Sequence, residues 1–151
     1  VPSHVTVALV NSQAVAGNYK LNPYYFQNYN INFIDVKIND ESFPTRPIQP
    51  RFKRKSAGGN YVDAYLRLFK DESHANGVSR DNFALGNTLF CFDLNPDSSK
   101  NNDNSWPILR KGNLSLEIHF AKALPEAVTL LIYGTFPSCI TVDKARNIGF
   151  L

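Results

Sequence analysis

Residues 112–136 read GNLSLEIHFAKALPEAVTLLIYGTF, and this stretch decides the fold class. Two alternating runs flank Ala123, Leu124, Pro125 and Glu126, a connection too short for a helix and carrying a proline that ends pairing. In the first run Leu114, Leu116, Ile118 and Phe120 point one way and Ser115, Glu117 and His119 the other. That is the period of two of a strand with one buried face. In the second run Val128, Leu130, Ile132 and Phe136 share a face, but Leu131 and Tyr133 make the opposite face apolar as well. The pattern predicts a β-hairpin whose first strand has one wet side and whose second is central in its sheet.

The flanking chain supplies further strands. Residues 5–10 (VTVALV) place Val5, Val7 and Leu9 on one face, and residues 88–94 do the same with Phe90, Phe92 and Leu94. Residues 29–38 change phase, from Tyr29, Ile31 and Phe33 to Ile34, Val36 and Ile38, which predicts a bulge near Phe33. Asn39, Asp40 and Glu41 turn the chain, and Pro44, Pro47 and Pro50 make the next segment an edge or a linker. Asn60 is the expected N-cap of a short helix over 60–69, with Asp63 at N3 and Tyr61, Ala64, Tyr65 and Leu68 on one side. Residues 71–87 read as loop with one helical turn at 80–85, and 95–104 (NPDSSKNNDN) as an exposed loop. Residues 139–142 and 146–150 close the chain as two short strands. Six or seven strands, one short helix and long end loops predict an all-β antiparallel two-sheet sandwich, a single domain over 1–151.

Composition agrees with a packed domain. The 151 residues are 43% hydrophobic and 13% aromatic, with 9 Pro and 8 Gly for many turns, enough chain for a core without staples. No run of apolar residues is long enough for a membrane span, and no charged-then-apolar leader is present. Met is absent even at position 1, so the lack of targeting signals says little about a parent chain. Cys91 and Cys139 lie in predicted strands without the spacing of a metal or redox motif and read as buried, reduced thiols. The sequon at Asn113 opens a strand, where a glycan would obstruct pairing.

The formal net charge is +3, and the excess is local: Arg51, Lys53, Arg54 and Lys55 stand beside Ala57-Gly58-Gly59. The bland reading is a solvated loop. The sharper readings are a contact for nucleic-acid phosphates or a partner, or a nuclear-import signal, since clustered cations without interleaved aromatics bind backbone charge rather than bases. Tyr24, Tyr25 and Phe26 form an aromatic group that fits core or interface packing, with a sugar or base site as the alternative. Glu117 and His119, two apart on the outward side of one strand, are the best pair for sharing a metal or a proton, against the ordinary reading of charges on a wet sheet face. No hydrolase, zincin, P-loop or dinucleotide motif is present. The residues therefore predict no catalytic site, no metal, no cofactor and no small-molecule substrate.

Four blocks in chain order, LVNSQAVAGNYKLNPYYFQNYNINF, YVDAYLRLF, SRDNFALGNTLFCFDLNPD and HFAKALPEAVTLLIYGTF, resemble the second jelly-roll domain of the double jelly-roll major capsid proteins encoded by Polinton/Maverick elements and adintoviruses. The resemblance covers almost the whole chain. It implies jelly-roll topology, the C-terminal half of a longer chain, and a structural role in trimeric pseudo-hexagonal capsomers of an icosahedral DNA virus or virus-like transposon. It also implies self-association and contact with other capsid proteins, in a virion or a host cell interior, with no membrane partner. By it the helix at 60–69 and the loops at 11–27 and 71–87 are contact regions, so Tyr24, Tyr25, Phe26, Tyr61 and Tyr65 are candidate oligomer contacts. Two features depart from the family pattern: the basic loop, and a missing strand before residues 5–10, which would leave an open sheet edge there. Two other classes stay in view. One is a cellular protein derived from a captured capsid gene, binding protein or nucleic acid through the basic loop. The other is a sugar-binding or metal-dependent jelly roll.

Overall fold

The first strand, β1 (His4–Asn11), buries five of its eight residues, Val5, Val7, Ala8, Leu9 and Val10. A β-branched run apolar on both faces suits only a strand paired on both sides. A computed structural model describes residues 1–42, 46–52, 59–69, 77–94, 111–138 and 140–150. After β1 come α1 (Ser12–Val15), β2 (Ile31–Ile38), β3 (Glu41–Ser42), α2 (Val62–Arg67) and α3 (Arg80–Ala84). The chain continues through β4 (Leu89–Asp93), β5 (Leu114–Phe120), β6 (Val128–Thr135), β7 (Ile140–Val142) and β8 (Ile148–Phe150).

Two three-stranded antiparallel sheets, β4-β1-β6 and β3-β2-β5, pack face to face, and β7-β8 forms a separate hairpin. Val5, Val7, Leu9, Phe90 and Phe92 from the first sheet meet Ile31, Ile34 and Val36 from the second in one core. The fold is thus the expected all-β antiparallel sandwich. Its ladders are nested, β1 with β6 and β2 with β5, so a long ribbon is rolled onto itself, the wrap of a jelly roll. The pairing of β4 with β1 lies outside that nest.

Several local readings hold. The register shift of β2 against β5 falls between Ile31 and Phe33, where the phase change placed a bulge. Asn39 and Asp40 both take positive φ, 51° and 68°, and close the tight β2–β3 hairpin. Phe90, Phe92 and Leu94 are buried, and the helical turn near 80–85 is α3, capped by the Ser79 hydroxyl.

Four expectations are corrected. Residues 112–136 are not a hairpin: β5 pairs with β2 and β6 with β1, so residues 121–127 cross from one sheet to the other. A proline-bearing connection flanked by two alternating strands is common to both arrangements, and only the partners of each strand distinguish them. Second, β6 is not central, because among the described residues it pairs with β1 alone; β1 is the middle strand. Among the described residues the sheet edges are β4 and β6 in one sheet and β3 and β5 in the other, and β1 is not one of them. Third, the described residues form three short helices, not one; the unforeseen α1 is nucleated by the Asn11 side chain, which accepts from the backbone N–H groups of Gln13 and Ala14. Fourth, α2 starts later than expected. Asn60 exchanges two backbone hydrogen bonds with Arg51, so Tyr61 is the N-cap, and its side chain makes no capping bond.

Candidate interaction surface

The feature that sets this sandwich apart, among the described residues, is the side between β5 and β6. In the β1–β6 ladder Leu9 faces Leu130, Val7 faces Ile132 and Val5 faces Gly134, so Leu130 and Ile132 point between the sheets. Val7 is fully buried, yet Ile132 opposite it is 55% exposed, and Leu130 is also exposed. On the facing sheet Leu114 pairs with Ile38 and points inward too, and it is exposed. Among the described residues no strand closes the sandwich between β5 and β6. The opening is an apolar groove of about 340 Å³, lined mainly by Val5, Leu114, Ile132 and Phe136.

On the outer face of β6 Leu131 is exposed, and Tyr133 is exposed to 71%. The strand reads VTLLIYGT and contains no charge and no proline. Other edges carry the usual protection. β3 is only two residues long and begins with Glu41, and α2 packs against β4. An eight-residue uncharged edge with apolar residues on both faces is the kind of edge that pairs or docks.

The candidate residues from the sequence fall elsewhere. Tyr61 and Tyr65 are half-buried in an aromatic cluster around the fully buried Phe83, with ring centroids 5.9 and 5.7 Å from it. Their hydroxyls donate to the carbonyls of Arg80 and Val78. Phe26 exchanges backbone bonds with Gly86 and Thr88, and the Tyr25 ring lies so close to Gly86 that a Cβ there would meet it at 2.1 Å. Tyr24 stands exposed. Arg51 is exposed at the foot of α2, whereas Lys53, Arg54, Lys55 and Cys139 lie outside the described residues.

Glu117 and His119 do meet, with Oε1 2.9 Å from Nε2, on the wet face of β5. The other carboxylate oxygen accepts from Lys37 at 2.5 Å, and the imidazole stacks on Phe33 at 4.8 Å. The hydrogen bond from Lys37 holds the Glu117 carboxyl below its usual range, with His119 adding to the effect, and the same bond raises Lys37. Among the described residues no third His, Cys, Asp or Glu completes a metal site. The pair is one half of an exposed charge network.

A second cleft, of about 320 Å³, opens at one end of the sandwich between Tyr25, Asn30, Leu85 and Lys122. Behind it the Tyr29 hydroxyl donates to Glu126 at 2.6 Å, and Asn11 donates to the same carboxylate. Burial, and then Glu126, push the Tyr29 hydroxyl well above its ordinary range, so it stays a donor. These bonds tie the cross-over to β1 and fix where β6 begins.

The sequence contained the signal for the open side: an uncharged strand apolar on both faces. It reads as central when partners are assumed on both edges. No described helix is long and apolar enough to cross a membrane.

Comparison with known proteins gives one informative likeness. An uncharacterized protein of Caenorhabditis elegans is 25% identical over 158 residues, covering 97% of this chain. The chain spans about a third of that relative's length, 35%. No family model and no solved structure matches.

Proposed function

We propose that this domain is a structural building block of a protein shell: a jelly-roll wall of the double jelly-roll major capsid kind, which associates side by side through its open edge. The observation that carries the reading is the uncharged, solvent-facing edge of β6 with the apolar groove beside it. A two-sheet wedge is rigid because both sheets share one core, and a neighbour docked on its β5/β6 side would bury the apolar residues exposed there. The blocks of sequence that resemble capsid domains lie on the strands and helices that build this wedge. In this reading the domain is one of two in a longer chain, and three such chains make a pseudo-hexagonal capsomer. The greater length of the C. elegans relative leaves room for such a second domain.

The test is to express the domain together with the coding sequence that flanks it in its gene and to image the product by negative-stain electron microscopy. Trimeric plates or closed shells are expected. A product that stays a dispersed monomer at all concentrations would refute a shell-forming role.

A further inference from the structure

The second cleft, beside Tyr25, has walls that are fixed before anything enters it. The residues lining it all fall in the described stretches 22–31, 80–88 and 120–127. One wall is the Tyr25 ring, seated against Gly86. Gly86 takes φ +118°, and a Cβ there would strike the ring, so glycine is what admits it. With one side against the glycine, the ring is still 46% exposed and lines the cleft.

A second wall is the turn at Asn28, Tyr29 and Asn30. Tyr29 and Asn30 both take positive φ, 41° and 53°, a conformation that a bulky residue such as tyrosine rarely adopts. Three bonds hold the turn in it. The Tyr29 hydroxyl donates to Glu126, the Asn28 amide donates to the Ala84 carbonyl at 3.0 Å, and Asn28 Oδ1 accepts from the Asn30 N–H at 2.9 Å. Backbone strain over-determined in this way collects at ligand sites, and walls held in advance lower the cost of binding.

The groups left unspent define the ligand. Neither the Asn30 side-chain amide nor the Lys122 ammonium makes a hydrogen bond or ion pair among the described residues, and both are exposed in the cleft. No carboxylate is among the lining residues; the neighbouring Glu126 has its two oxygens engaged by Tyr29 and Asn11. An amide both donates and accepts, which suits hydroxyl groups. The electron-rich face of a tyrosine attracts C–H groups. One unpaired cation matches a carboxylate better than a phosphate monoester, which carries about two charges at neutral pH. The volume of about 320 Å³ is at the small end of the range of about 300–1,000 Å³ for ligand sites, which fits a single ring rather than a long chain.

We infer that this cleft binds one acidic sugar ring of the hexuronic kind, with its C–H face on Tyr25, its hydroxyls on Asn30 and its carboxylate on Lys122. The site shares no residue with the β5/β6 groove and stands apart from the assembly reading.

The experiment titrates methyl β-D-glucuronide into the isotope-labelled full chain and follows the backbone amide signals by NMR. Methyl β-D-glucoside and adenosine monophosphate are the comparison ligands. The variants are Tyr25→Leu, Asn30→Gly, which keeps the positive φ while removing the amide, and Lys122→Met at an exposed position outside any strand. Signals away from the cleft report that each variant keeps the fold. Saturable shifts are expected in residues 25–30, 85–86 and 122–123, with binding about tenfold weaker in Tyr25→Leu and in Asn30→Gly. The glucoside is expected to bind wild type about tenfold more weakly than the glucuronide, and Lys122→Met to erase that difference. An absence of saturable shifts at these amides, or shifts that all three variants leave unchanged, overturns the site. Equal binding of the two sugars, or tighter binding of adenosine monophosphate, overturns the ligand class.

Discussion

The open side of the sandwich predicts a difference between two isoleucines that point into the same interior. Ile34 in β2 is fully buried, and Ile132 in β6 is 55% exposed. Replacing either by alanine removes Cγ1, Cγ2 and Cδ1. At Ile34 the transfer loss is about 2.4 kcal/mol at about 0.8 kcal/mol per buried CH₂. The unfilled space left in the core raises the total to about 3–4 kcal/mol. At Ile132 just under half of the side chain is withdrawn from water, so the transfer loss is about 1 kcal/mol. Solvent already reaches the site, so no cavity adds to it. Urea denaturation, at concentrations low enough that light scattering reads a monomer, gives both values from the shift in midpoint at constant slope. Equal losses at the two positions would mean that the β5/β6 side is closed, and would remove the basis for the assembly reading.

Other expectations follow from single side chains. Phe83→Ala should cost about 3–5 kcal/mol, because it empties the centre of a cluster of four aromatic rings around it or one ring removed, a large share of a typical domain's stability. A thermal melt reads it, and a loss under about 1 kcal/mol would contradict the packing. Gly86→Ala should destabilise by about 1–3 kcal/mol, since φ is +118° and a Cβ would strike Tyr25. Adding Tyr25→Ala should recover the steric part and leave the backbone part. Glu117 should titrate below an ordinary glutamate and return toward it in Lys37→Met, as followed by carboxyl NMR shifts. Its folded-state pKa is depressed, so whatever the pair contributes is present above the unfolded carboxylate pKa. That contribution is lost as pH falls through the lower folded value. An unchanged midpoint in Lys37→Met would show that the bond does not form in solution.

Much of the fold was legible because strands announce themselves locally. The period of two in 114–120, the phase change at Phe33 and the Asn39-Asp40 turn are all properties of neighbouring residues, and each appears where it was placed. Partnership was not legible in the same way. Whether β5 and β6 pair with each other or with β2 and β1 depends on residues about 80 to 130 positions away, as the bonds Lys37 to Glu117 and Ser3 to Thr135 illustrate. The same limit hid the surface. Ile132 and Leu130 carry the inward parity of core residues, and nothing local says that they stay exposed. Tyr61 and Tyr65 show the converse. As aromatic residues on one face of a short helix they suit an interface, and their packing on Phe83 from a separate helix is a tertiary fact.

The most direct test of the central claim is hydrogen–deuterium exchange of the intact chain at rising protein concentration. If the β5/β6 side is the assembly surface, protection should grow with concentration in residues 128–136 and around Leu114, while the β1–β4 ladder stays constant. Protection that rises only elsewhere, or nowhere while the protein associates, would contradict it.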